Sequence, residues 1–358
     1  MKRLTLLLLL ACTALGAQVR PHPRLLRDPA APAADAPWYV LKVDSVIHSF
    51  SDEVLELPPV ERTMTGRRLL GVSREALKRI FWLSYTYRAH GGEAYKDRAI
   101  AEMLAVSRFP DWNPAHFLDV GEMTMALAIG YDWLYDGMSG EERRTVAEAI
   151  IEKGLKPALN PSDAWFYNTE INWNSVCNAG MVYGALAVWE SDPAFCGSML
   201  GKSLESSLLA YKAYSPEGGF AEGYNYWGYG TSFQIMLEAA VDDKSRLGEN
   251  FLKSARFMQM MSTPSGRSFN YSDSYTAANF QYMQAFMAAV TGDTSLLYPE
   301  LELLEGGAKH ISCEIVEGEY NGIGPNESAL KWMEWQANQL APRILMPAEM
   351  TKRVYSDF

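Results

Sequence analysis

An all-α fold of paired antiparallel helices is predicted by three features of this sequence. Apolar residues recur at helical spacing in segment after segment, strand-like alternation is scarce, and start and stop signals punctuate the segments at short intervals. The approximate spans are 38–56, 74–91, 93–107, 117–136, 139–156, 174–190, 196–214, 226–241, 245–262, 276–291, 294–305 and 327–340, and they form hairpin-like pairs. Starts are marked by Ser73 with Glu75 and Ala76 behind it, Ser139 followed by Glu141 and Glu142, Asp192 with Pro193, and Asn326 ahead of Glu327. Gly91, Gly92, Gly137 and Gly292 close helical runs where a left-handed residue is needed. The best strand candidate is ISCEIVEG at 311–318. The segments MTMALAIGYDWLY and AGMVYGALAVW are apolar on most faces, as helices covered on more than one side must be. An inner ring wrapped by an outer one meets that need. With no repeat period in the sequence, a closed α/α toroid over residues 38–358 is preferred to an open solenoid.

The N-terminal residues 1–17 read as a secretory signal. Basic residues precede an apolar run from Leu4 to Ala11, and small residues follow at Ala14, Gly16 and Ala17. That run is too short to span a bilayer, so an exported, periplasmic or extracellular protein is expected. The string LLAC ending at Cys12 loosely fits a lipoprotein box, with Leu10 a poor fit, and membrane attachment is expected only if Cys12 is lipidated. Residues 18–37, rich in Pro and Ala, form an irregular arm. Cys177, Cys196 and Cys313 remain after signal removal, an odd number without metal-type spacing, and buried free thiols are the simplest reading. A formal charge of −11 argues against nucleic acid and requires that any acidic ligand be met by a local basic patch.

Two strings carry the chemistry. GGFAEGYNYWGYGT at 218–231 combines aromatics, a carboxylate and five glycines, with Tyr226 and Tyr229 three apart. Some fifty residues upstream, INWNSVCNAG sets Asn172 and Asn174 either side of Trp173. Ring faces, phenols and neutral amides suit carbohydrate binding and acid/base work better than metal or phosphate chemistry, and an aromatic helix face buried in a core is the competing reading. His116, Asp119 and Glu122 suggest a metal, but no further His or Cys completes a site, so neither metal nor cofactor is expected.

HPRLL at His22–Leu26, NPAHFLDVGEMTMALAIGYDWLYD at Asn113–Asp136, INWNSVCNAGM and GGFAEGYNYWGYGT together resemble the heparinase II/III family of polysaccharide lyases, through their order and spacing over most of the chain. The resemblance implies an incomplete α/α toroid followed by a β-sandwich. The chain ends at Phe358, before a sandwich begins, so a separate β-sandwich domain or polypeptide is a candidate partner. It also implies β-elimination on a uronic-acid glycan. Asn172 or Asn174 would stabilise charge developing on the sugar carboxylate, with Tyr226 first and Tyr229 second as proton donor to the departing oxygen. A phenol with a pKa of about 10 is protonated at neutral pH and suits the acid role, whereas base duty would need a nearby cation.

Family members often carry a catalytic histidine on the sandwich. Here His116 is a cleft candidate or a packing residue, and His310 suits a surface role. Glu222 orients Tyr226, contacts a sugar hydroxyl, or sits near a helix N-terminus as an ordinary acid. Trp173, Tyr224 and Trp227 either stack on pyranose faces or pack in the core. Arg267 either recognises a substrate carboxylate or is a solvated loop arginine. A non-catalytic glycan-binding protein and a glycoside hydrolase using two of Asp132, Asp136, Glu170 and Glu222 are the alternatives.

Overall fold

The computed structural model describes residues 20–305 apart from 242, 263–266, 273 and 277–279. The expected signal peptide, Cys12, the 311–318 strand, the 327–340 helix, His310, Cys313 and Asn326 lie outside these residues. The described chain is all-α: eleven α-helices with short 3₁₀ or π segments, and among the described residues only two isolated β-bridges.

Eight helices frame the site. They are α1 (Trp38–Leu55), α2 (Leu70–His90), α3 (Glu93–Ser107), α4 (Phe117–Leu134), α5 (Gly140–Ala149), α6 (Asn172–Ala187), α7 (Pro193–Ser207) and α8 (Tyr224–Val241). Beyond them come α9 (Glu249–Met260), α10 (Met283–Thr291) and α11 (Tyr298–Glu305). The even-numbered helices α2, α4, α6 and α8 pack side by side in chain order, while α3 lies against α2 and α7 against α6. Burial follows this division. Every residue of α4 is buried, whereas α5 buries only Val146, Ala147 and Ala149.

Close approach of the inner helices depends on glycine. A Cβ at Gly180 of α6 would stand 2.8 Å from the Gly121 Cα of α4, so the two backbones meet without side chains between them. A Cβ at Gly230 of α8 would stand 3.2 Å from the Asn172 Cβ. The first contact sets the second turn of α4 against the third turn of α6, and the second sets the start of α6 against the second turn of α8.

Two of the expected start signals hold on outer helices. Ser139 and Glu142 form a complete capping box at the start of α5, and Asp192 accepts the Phe195 N–H at the start of α7. Gly292, at φ 72°, ends α10 in the left-handed region. Ser73 is not a cap: α2 begins at Leu70 and Ser73 is buried inside it. Its start is fixed from outside, because the Asp119 carboxylate of α4 accepts the Leu69 N–H at 2.6 Å. Likewise α10 starts at Met283 rather than 276.

The arm at 20–37 is irregular, yet its HPRLL segment is firmly attached. Asp132, buried near the C-terminal end of α4, accepts from the Arg24 N–H at 2.9 Å, the Leu25 N–H at 2.9 Å and the His22 ring at 2.5 Å. His22 also stacks on Tyr135 with centroids 4.0 Å apart, and Arg24 pairs with Glu190. Cys177 and Cys196 are free and buried, and burial pushes both thiols up, Cys196 to about 12.

Candidate functional site

The N-terminal end of α4 carries two buried carboxylates. Asp119 binds three groups from two segments: the His116 Nδ1 lies 2.6 Å from its Oδ1, while the Leu69 N–H and the Asn113 amide donate to Oδ2 at 2.6 Å each. One turn on, Glu122 Oε1 accepts the Tyr229 hydroxyl at 2.5 Å and Arg74 Nε at 3.2 Å, and the Arg74 guanidinium sits 5.0 Å from the Tyr229 ring centroid. Arg74 of α2, Glu122 of α4 and Tyr229 of α8 thus form a polar lock across three inner helices. Burial, then the Glu122 charge, pushes the Tyr229 phenol well above its usual range, against the opposing pull of Arg74. Burial disfavours the charge on Arg74, but Glu122 and Tyr229 outweigh it and raise its pKa. Arg74 is the cation that base duty at Tyr229 would require, yet the net effect keeps that phenol protonated.

Beside this lock, the first turn of α6 meets the segment before α8. Glu222 accepts the Asn172 backbone N–H at 2.7 Å and its side-chain amide at 2.6 Å. The Asn172 amide nitrogen therefore has one N–H beyond the Glu222 bond. Asn174 differs. Its amide nitrogen donates to the Phe166 carbonyl and to Ser206 Oγ, both at 3.0 Å, so both N–H groups tie the 165–168 turn and the end of α7 to α6. Of the two predicted amides, Asn172 alone retains a donor for a ligand. Of the two predicted phenols, Tyr226 is half-buried while Tyr229 is buried with its hydroxyl committed to Glu122.

An aromatic ledge adjoins Asn172. Trp173 meets the His116 ring edge-on at 4.9 Å and lies 4.6 Å from Trp165 at a 36° tilt. Trp165 is 43% exposed. His116 is held at Nδ1 by Asp119, and its Nε2 has no hydrogen-bond partner among the described residues. Asn172 binds Glu222, Trp173 meets His116, which Asp119 holds, and Tyr229 is tied through Glu122 to the same end of α4, with Tyr226 three residues before it on α8.

Other predicted site residues are placed elsewhere. Trp227 is fully buried and donates to Ser254 Oγ at 2.9 Å, and Tyr224 is 2% exposed, so the stacking reading is corrected to core packing for both. Arg267 is exposed beside the Ser262–Ser268 bridge, in a loop whose Ser274 and Tyr275 bind Asn225 at the start of α8. The hydrolase carboxylates do not form a pair across a bond. Asp132 is spent on the arm, Glu222 on Asn172, Glu170 on an exposed pair with Lys212, and Asp136 is exposed. His116, Asp119 and Glu122 bind protein groups, and no set of three or more potential metal ligands occurs among the described residues.

Sequence reasoning missed Arg74 and Trp165. Trp165 carried a signal in the aromatic string WFYN ahead of INWN, but Arg74 reads as any helical arginine. No protein-family model and no curated protein matches this sequence.

Proposed function

We propose that this chain is the helical portion of a polysaccharide lyase, an incomplete α/α toroid that cleaves a uronic-acid glycan by β-elimination. The reading rests on one observation above the rest: the double hydrogen bond from Asn172 to Glu222 joins the amide segment to the segment that opens into Tyr226 and Tyr229. In this reading the remaining Asn172 N–H stabilises charge building on the sugar carboxylate, which makes the neighbouring C–H acidic enough to lose its proton. His116 takes that proton at Nε2 with Asp119 fixing the ring, as a carboxylate–imidazole pair does in general base catalysis. Tyr226 returns a proton to the departing glycosidic oxygen. Tyr229 holds the helices through Glu122 and Arg74 and does not itself transfer protons. The alternation of inner and outer helices supports the toroid.

Incubation with heparan sulfate, alginate and hyaluronan tests this directly. Ultraviolet absorbance of the unsaturated uronate should rise with at least one polymer and be lost in Tyr226→Phe. Saccharide binding with no absorbance change would instead identify a non-catalytic glycan-binding protein, and saturated products would identify a hydrolase.

A further inference from the structure

An acidic glycan approaching a chain of net charge −11 needs local positive charge, and the segment before α2 supplies it. Residues 57–69 form a strap fixed at both ends by buried acids. Glu102 accepts the Val60 N–H at 2.8 Å and Asp119 accepts the Leu69 N–H at 2.6 Å, while Arg62 reaches Asp111 at 2.7 Å between them. The strap tip is a tight turn, with Thr65 and Arg68 exchanging backbone hydrogen bonds at 2.9 and 3.1 Å around Gly66 at φ 60°. Residues 63–68 are all exposed.

Arg67 and Arg68 at this tip form no ion pair among the described residues. Arg24, Arg62, Arg74, Arg79, Arg88 and Arg98 each face a carboxylate, while Arg20, Arg108, Arg143 and Arg144 elsewhere on the chain also lack an ion pair among the described residues. The tip is also coupled to the site. Asn113, itself left-handed at φ 59°, donates from one amide nitrogen to the Arg67 carbonyl at 2.9 Å and to Asp119 Oδ2 at 2.6 Å. Asp119 in turn holds His116. One buried carboxylate therefore sets the position of both the imidazole and the backbone beneath the two guanidinium groups. A strap ordered in advance forfeits little entropy when a ligand binds.

We propose that the Arg67–Arg68 turn recognises the anionic group of the bound glycan, a carboxylate or a sulfate, on a sugar next to the one handled by Asn172 and His116. This rests on the lyase reading for the identity of the ligand. Guanidinium groups match both oxyanions with paired hydrogen bonds, whereas Lys offers only a point charge.

The test is calorimetric binding of uronate oligosaccharides, the same oligosaccharides with carboxyls reduced, and desulfated heparan fragments, to wild type and to R67A, R68A, R67K/R68K and the double alanine variant. The expected result is roughly tenfold weaker binding of the acidic ligand in the double alanine variant, partial recovery with lysines, and no change for the carboxyl-reduced ligand. Its salt dependence should also be shallower than wild type. If loss follows sulfate removal rather than carboxyl reduction, the recognised anion is the sulfate. Wild-type affinity in the double variant, with elimination intact, overturns the proposal and leaves the lyase reading standing. Arginine-dependent binding without elimination overturns the lyase reading and upholds the turn. No binding of any anionic saccharide by the wild type overturns both.

Discussion

Helix α4 carries a histidine–aspartate pair at each end, and the two ends differ in what surrounds them. At the C-terminal end His22 lies 2.5 Å from Asp132, and at the N-terminal end His116 lies 2.6 Å from Asp119. His22 is 4% exposed, stacked on Tyr135, with the Arg24 and Leu25 N–H groups filling the rest of the Asp132 carboxylate. His116 is 16% exposed, edge-on to a half-buried tryptophan, with one nitrogen unpartnered among the described residues. The first pair is a plug that fastens the arm, its His22 Nε2 buried and likewise without a hydrogen bond among the described residues; the second pair is the more exposed of the two. Neither the histidine–carboxylate contact nor an unpartnered ring nitrogen distinguishes them, since both ends have each; exposure does.

The sharpest division between the ends comes from Tyr226→Phe at the open one. If Tyr226 transfers the proton as proposed, removing its hydroxyl should lower turnover by about 10²–10⁴-fold with no change in Tm, measured by uronate absorbance and by thermal unfolding. A fall in Tm with turnover preserved would make Tyr226 a packing residue and would dissolve the contrast. At the closed end the opposite is expected. Asp132→Ala strips two backbone N–H groups and an imidazole of their acceptor, and should cost about 3–5 kcal/mol of stability in denaturant titration, comparable to breaking a buried ion pair. Turnover per folded molecule should be unchanged.

A third buried acid sharpens the comparison because it has neither a histidine nor a cation. Glu300 of α11 accepts the Gln281 N–H at 2.5 Å, and burial raises its pKa to about 8 despite that bond. Since the folded pKa lies above the unfolded one, the folded state holds a proton that the unfolded state has released between roughly pH 4.5 and 8. Stability must therefore fall as pH rises through that window and level off above it, by on the order of 5 kcal/mol in all. Glu300→Gln, neutral at every pH, should flatten the slope in urea titrations at pH 5 and pH 8. A slope equal to wild type would assign the window to other groups.

How much of this was legible in the sequence depends on where each helix gets its cap. The outer helices α5 and α7 carry theirs locally, in Ser139–Glu142 and Asp192, although the expected span for α7 opens at 196, after its observed start at Pro193. The inner helices are capped from afar. Leu69 N–H goes to Asp119, Asn172 N–H to Glu222 and Asn225 N–H to Ser274, across 50, 50 and 49 residues of chain. No local pattern announces such a cap, which is why Ser73 was mistaken for one. The same holds for the site. Asn172, Trp173, Tyr226, Tyr229, Glu222 and His116 stood out by type and spacing. Whether Asn174 and Tyr229 were free to act, and whether Trp227 faced a ligand or the core, depended on partners such as Ser206, Glu122 and Ser254 that only the folded chain brings near.

The smallest expected effect bears on the ledge beside the open pair. Trp165 is 43% exposed and touches Trp173 on one face, so truncating it removes little buried area from the fold. Trp165→Ala should leave Tm nearly unchanged and weaken oligosaccharide binding by about 1 kcal/mol, the scale of a ring-stacking contact, seen as roughly a fivefold rise in Kd or KM without loss of kcat. Trp165→Phe should recover part of it. Were the alanine variant to lose stability while binding saccharide normally, Trp165 would be a cover for Trp173, and the open end of α4 would recognise sugar through its polar groups alone.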